Sequence, residues 1–267
     1  MSGYVGPQSG LLYPLNQTAF DNTQAGSNNE TEPSVLVGQT LVSQPFSLIP
    51  VTSPQQAISL FGAGSHLCRM FQAYFANDTE GPIFCVPLAD ASGATKASCT
   101  VTIVGAATGN GTLYLYIGGQ LVQVGVSSGA SIATMATAIA AAVNANTNLP
   151  VTATAAAGVV TLTAVNGGTL GNGISVIMNL LGQSQGQTLP AGVSVSITAM
   201  TGGATDPVLT GLAALLGDNA AYFICEPYTS STALQAMQTM MSFSAGRWAP
   251  NRKSRGHVWS ARTDTIA

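Results

Sequence analysis

The sequence predicts an α/β protein: an open α/β core sheet, interrupted by a β-rich (α+β) insertion and preceded by an extended N-terminal arm. Three observations carry this. Strand–helix–strand patterns stand on both sides of a central block, the arrangement of a parallel crossover sheet. Between about Ala91 and about Ala204 the composition shifts to Gly, Thr, Ala and Val with few charges, and apolar residues alternate with period two. Ahead of both, residues 1–33 are rich in Pro, Gly and Asn and carry only isolated apolar residues, too few to bury a core of their own. The expected organisation is an arm at 1–33, a core domain from 34–92 and 205–267, and an insertion domain at 93–204.

The elements follow in order. Ser34–Val42 (SVLVGQTLV) is apolar enough for a strand buried on both faces. Ser53 is an N-cap candidate, followed by Pro54 at the first helical position and Gln56 at the capping-box position. Helical spacing continues from Ala57 to Phe75, with Gly62 and Gly64 expected to break it into two pieces. Pro82–Leu88 is a second strand. In the insertion, Ser98–Val104, Gly111–Ile117 and Gln120–Val126 alternate, and Gly118–Gly119 suits a two-residue hairpin turn. Ser131–Asn146 is an Ala-rich helix with Ser131 as its cap. Strands are expected at Val151–Ala156, Val159–Val165, Ile174–Asn179 and Val193–Ala199. The core pattern then resumes. Asp206 is expected to cap a helix running through Leu216, with Ala220–Cys225 as a strand, Ser230–Arg247 as a helix and Gly256–Arg262 as a further strand.

Charged residues make up only 6 % of 267 residues, against 46 % hydrophobic; a soluble domain ordinarily holds about 25 % charged residues. A surface so poor in charge resists self-association weakly. The net charge of −3 gives no nucleic-acid footprint. No stretch approaches the roughly 18 consecutive apolar residues of a membrane span, and the opening MSGYVGPQSG lacks the basic and apolar regions of a secretory signal. Basic residues are absent between Lys96 and Arg247, and then Arg247, Arg252, Lys253, Arg255 and Arg262 crowd together. They form either a solvated, partly paired run or a docking patch for an acidic partner.

The residues that carry chemistry are sparse. Cys68, Cys85, Cys99 and Cys225 form no C-x-x-C pair, and His66 and His257 are the only histidines, so no zinc set is expected. Free cysteines in apolar runs act as small hydrophobes, which fits a reducing compartment. The runs Gly105–Gly111 (GAATGNG) and Gly167–Gly173 (GGTLGNG) join strand to strand, whereas a phosphate loop must open a helix. Ser65 beside His66 lacks nucleophile-elbow spacing and reads as the cap of a broken helix. His257 is expected in or beside a strand. Asp78 and Glu80 read as a solvated turn, and Trp248 and Trp259 as core or interface anchors. The pattern calls for no catalytic residue, cofactor or metal.

Seven segments, in order, carry a resemblance: DNTQAGSNNETEPSVLVGQ (Asp21–Gln39), SPQQAISLFGAGSHLCRMFQAYFAND (Ser53–Asp78), GTLYLYIGGQLVQVGV (Gly111–Val126), NLPVTATAAAGVVTLTAVNGGTLGNGI (Asn148–Ile174), LPAGVSVSITAMTGGATDP (Leu189–Pro207), FICEPYTSSTALQAM (Phe223–Met237) and GRWAPNRKSRGHVWSAR (Gly246–Arg262). Together they resemble the tail sheath family of Mu-like phages. The resemblance implies a structural subunit, not an enzyme. Such subunits form six-fold rings stacked helically around a tail tube and contract to drive the tube through the host envelope. The implied partners are further copies of the chain, the tail tube protein, and baseplate and tail terminator proteins, with no direct nucleic-acid contact and no membrane insertion. The implied location is the virion tail, assembled in the host cytoplasm. Sheath proteins of this type also carry a C-terminal half, so the chain resembles their N-terminal portion.

Two site expectations follow from the resemblance. The arm, through Val5, Leu11, Leu12, Tyr13 and Leu15, would exchange between subunits by adding a strand to a neighbour's sheet. Arg247, Arg252, Lys253 and Arg255 would face the tube. Two competing readings stand beside it: an outward-facing β domain binding host carbohydrate, for which the insertion offers Tyr114 and Tyr116, and a hydrolase built on Ser65.

Overall fold

The computed structural model describes residues 32–78, 83–252, 254 and 256–261. Five strands form the first sheet: β1 (Ser34–Gln39), β2 (Ile49–Pro50), β3 (Ile83–Leu88), β11 (Phe223–Cys225) and β12 (His257–Trp259), in the order β12-β11-β1-β3-β2. All neighbours are parallel except β2, which runs antiparallel to β3 at the edge. An edge tolerates Pro50, which has no N–H to donate.

Strand β1 lies at the centre, and each of its six residues is buried. Its alternation feeds two cores. Leu36 packs with Phe61, Leu67, Cys68 and Phe71 from helices α1 (Pro54–Phe61) and α2 (His66–Phe75). Val35 and Val37 pack with Leu212, Leu216, Met237 and Met240 from helices α4 (Leu212–Leu216) and α5 (Ser231–Met240). Helices on both faces explain the near-continuous apolar run SVLV.

The expected break between α1 and α2 is present. Gly62 and Gly64 both have positive φ, 84° and 79°. A Cβ at Gly64 would also collide with the carbonyls of Leu149 and Thr147, so the chain turns there with no room for a side chain. Ser53 caps α1 by accepting from the Gln56 N–H, with Pro54 opening the helix. Gln56 answers by accepting from the Thr52 N–H and hydroxyl rather than from the Ser53 N–H.

The central residues form two antiparallel sheets and a helix. One sheet has β4 (Ser98–Val104), β7 (Val151–Ala156), β8 (Val159–Ala164) and β10 (Ser194–Ile197) in the order β10-β4-β8-β7. The other has β5 (Gly111–Ile117), β6 (Gln120–Val126) and β9 (Val176–Met178) in the order β6-β5-β9. Helix α3 (Ile132–Ala145), capped by Ser131, packs on β6, β7 and β8. Val101 and Leu162 from one sheet, Leu113 and Leu115 from the other, and Met135 and Ile139 from α3 share one core. The β5–β6 hairpin turns through Gly118 and Gly119, with φ of 55° and 83°, the pattern of a type I′ turn.

Several expected elements are corrected. Strand β1 ends at Gln39: the Thr40 N–H makes the last rung onto β3, to the Leu88 carbonyl, and the Leu41 N–H then turns away to the Phe61 carbonyl. The predicted strands at Ile174–Asn179 and Val193–Ala199 shorten to β9 and β10. Helix α4 does not start at Asp206. Thr205 has φ of 67°, and the Asp206 carboxylate instead accepts from the Thr169 N–H at 2.6 Å and the Thr169 hydroxyl at 2.7 Å. A tertiary partner has taken the capping group, and α4 begins at Leu212 without a side-chain cap. Helix α5 stops at Met240 rather than Arg247. The Gly246 N–H closes a turn onto the Ser242 carbonyl, and the Arg247 N–H returns to the Met240 carbonyl at 2.7 Å. Of the predicted last strand, His257–Trp259 is strand and Arg262 lies outside the described residues.

Candidate interaction site

The richest side-chain chemistry lies where the first sheet meets the central β unit. Gln39, the last residue of β1, is fully buried. Its Nε2 donates to Asp90 Oδ1 at 2.7 Å and to the Gly167 carbonyl at 2.6 Å. That fixes the amide orientation, so Oε1 faces His66 and accepts from its Nδ1 at 3.1 Å. Asp90 also takes the Gly167 N–H at 2.7 Å and Asn166 Nδ2 at 3.2 Å. Asn166, itself buried, accepts from the His66 N–H and donates to the Thr40 carbonyl. Strand β1, helix α2 and the segment after β8 are thereby tied into one hydrogen-bonded joint.

Helix α2 supplies a second row of ties. Arg69 donates to the carbonyl of Gly118 at 3.1 Å, seating the β5–β6 hairpin, and Gln72 reaches Asn148 at 3.4 Å. Burial, with Arg69 adding to it, lowers the His66 pKa to about 4, so the imidazole is neutral and serves as a donor within the joint. Ser65 is fully buried, and its hydroxyl caps α2 by accepting from the Cys68 N–H at 3.2 Å. The serine is used structurally, as the sequence suggested, and the hydrolase reading has no nucleophile there.

A cleft of about 840 Å³ opens beside the joint, lined among others by His66, Arg69, Thr169, Asp206, Thr229 and Ser230. Its acid, Asp206, is already engaged by Thr169. Among the described residues, no group of three or more His, Cys, Asp or Glu gathers to hold a metal. The run Gly167–Gly173 makes a 3-10 turn at Thr169–Gly173 between β8 and β9, joining strand to strand. Cys68, Cys85, Cys99 and Cys225 are free thiols, the first three buried, and burial pushes Cys85 up to about 12 and Cys99 up to about 11. Tyr74 donates to Asp78 at 2.8 Å, while Glu80 lies outside the described residues. Tyr116 is buried with its hydroxyl accepting from Gln187 at 2.6 Å, so it forms no exposed platform with Tyr114.

Residues 92–199 match the phage tail sheath protein β-sandwich domain. Over 264 residues the chain is 30 % identical to the Mu-like prophage FluMu tail sheath protein of Haemophilus influenzae, an alignment covering 97 % of this chain and 53 % of that protein. The chain is similar to phage tail sheath proteins over nearly its whole length. It spans about half the length of this curated relative. A sheath tail protein from Listeria innocua aligns structurally over 85 % of this chain and 47 % of its own, with a TM-score of 0.33 and 11 % identity.

The basic segment is treated unevenly by the fold. Arg247 is corrected: it is not a surface contact but 2 % exposed. Its guanidinium donates to the Gly217 carbonyl at 2.8 Å and the Asn219 carbonyl at 2.7 Å, closing the end of α4. Arg252 is exposed and stands 3.6 Å from Asp218. Lys253 and Arg255 lie outside the described residues, as do the arm positions Val5, Leu11, Leu12, Tyr13 and Leu15. Four residues before Arg252, Trp248 donates to the Gly256 carbonyl and packs tilted against Phe243, at 5.3 Å, and edge-on against His257, at 6.2 Å. Phe243 and Trp259 are 70 % and 61 % exposed, so Trp259 is no core anchor in the single chain. Nothing in the residue order marked this exposure, since a Phe or Trp beside other apolar residues looks the same whether buried or not. Among the described residues, no helix is long and apolar enough to cross a membrane.

Proposed function

We propose that this chain is a structural subunit of a contractile tail sheath. It polymerises as stacked hexameric rings around a tail tube, between baseplate and terminator proteins, and contracts to drive the tube through the host envelope. The observation that carries the reading is its 30 % identity, across 97 % of its length, with a tail sheath protein. The low charge content and the large exposed side chains Phe243, Val208 and Trp259 support it, because such a surface favours association.

Within this reading the chain divides into an arm at 1–33, a core domain from 34–92 and 205–267, and an insertion domain at 93–204. The arm adds a strand to a neighbouring copy through Val5, Leu11, Leu12, Tyr13 and Leu15. Arg252, Lys253 and Arg255 meet acidic tube surface; Arg247 leaves this set because its guanidinium is spent on backbone carbonyls. Negative-stain microscopy of the chain with its tube partner tests the reading. Striated cylinders are expected, and dispersed monomers at assembly concentrations refute it.

A further inference from the structure

Glu226 is an acid for which sheath assembly offers no explanation. It follows β11, and its N–H donates to the Trp259 carbonyl, so it stands where the paired ends of β11 and β12 stop. The residue is 2 % exposed. Oε2 accepts from the Tyr228 N–H at 2.7 Å, whereas Oε1 is buried without a hydrogen-bond partner.

No cation among the described residues answers it. Helix α5 (STALQAMQTM), which starts just beyond, carries no charged side chain. Strand β12 contributes His257, whose ring packs against Trp248 instead. The neighbouring Cys225 is a neutral thiol, held above its ordinary range by burial. Tyr228, likewise kept neutral by burial, is itself faced by Asp206 and Asp90, which add negative rather than positive charge. Burial lifts the Glu226 carboxyl to about 7, and the Tyr228 N–H offsets only part of that.

A neutral carboxyl can remain in such a place, but an ionised one leaves Oε1 dry and its charge unmatched. Relief is close at hand. Pro227, Thr229 and Ser230, the residues that follow, line the cleft beside the joint, as does Ala261 beyond β12.

We propose that Glu226 makes this corner a proton-operated catch: neutral, it holds the ends of β11 and β12 and the start of α5 closed; ionised, it turns to water and the corner opens. The catch goes beyond the sheath reading and does not depend on it. Hydrogen exchange of the whole chain, corrected for intrinsic exchange rates, tests it at about pH 5.5 and about pH 8. Opening of residues 223–229 and 257–259 should rise at least about tenfold at the higher pH, with the β5–β6 hairpin unchanged. Glu226→Gln should remove that rise. Equal opening of the wild-type corner at both pH values overturns the proposal, and so does a Gln variant that keeps the full rise. The wild-type comparison decides by itself if the variant does not fold.

Discussion

Replacing Gln39 by Leu tests whether the joint couples the two sets of sheets. Leu fills most of the same volume, so the loss is mainly polar. Asp90 is exposed and rehydrates, at little cost. The Gly167 carbonyl, which is buried and accepts from Gln39 at 2.6 Å, loses that donor; the His66 Nδ1–H loses its acceptor at 3.1 Å. At roughly 1–3 kcal/mol for a buried group left unpaired, and less for the half-buried imidazole, the sum is about 3 kcal/mol. The assay uses the placement of the tryptophans: Trp248 and Trp259 both lie beyond the central β unit, in the segment that closes the first sheet. Urea unfolding followed by tryptophan fluorescence therefore reports the first sheet, and far-ultraviolet circular dichroism reports both parts. In the wild type the two curves should coincide. In Gln39→Leu they should separate, with the fluorescence midpoint lowered. A loss below about 0.5 kcal/mol with coincident curves would refute the coupling.

Other outcomes follow from the same geometry. Arg247→Met should cost about 2–4 kcal/mol, because two carbonyls lose a charged donor inside the fold, read as a lowered denaturation midpoint. Arg252→Glu with Lys253→Glu should leave the midpoint almost unchanged, since the 3.6 Å pair with Asp218 is exposed, yet should block polymerisation on tubes. Unchanged assembly would remove the tube contact. Ser65→Ala should cost about 1–2 kcal/mol through the lost cap of α2. The pH profile has a defined sign: His66, lowered from 6.5 to about 4, loses stability as pH falls through that window, while Glu226, raised from 4.5 to about 7, loses it as pH rises. The two oppose each other, so Glu226→Gln should expose a stability that climbs with pH between about 4.5 and 6.5, and a flat profile in that variant would contradict the His66 assignment.

Local order was legible in the residues themselves. Strands β4, β5 and β6 lie where period-two alternation put them, Ser53 and Ser131 cap the helices they precede, and Gly118–Gly119 turns the hairpin. Each rests on interactions within a few residues, for which spacing and backbone freedom suffice. Arg247 as an exposed cation and Asp206 as a helix cap failed for a shared reason. A guanidinium or a carboxylate binds whichever partner the fold brings nearest, and these partners stand far along the chain: Gly217 and Asn219 for Arg247, Thr169 for Asp206. The early end of α5 is local instead, set by the turn that returns the Gly246 and Arg247 N–H groups to Ser242 and Met240. The joint around Gln39 was invisible for the same cause, since its members at 39, 66, 90, 166 and 167 share no local pattern. Glu226 looks in sequence like any surface acid after a strand; only the packing of β12 and α5 around it removed its water. The chain therefore determined its elements and its kinship through short-range preference and residue order. Which polar groups are buried, paired or left wanting was decided by tertiary packing, because desolvation depends on everything that surrounds a group rather than on its neighbours in sequence.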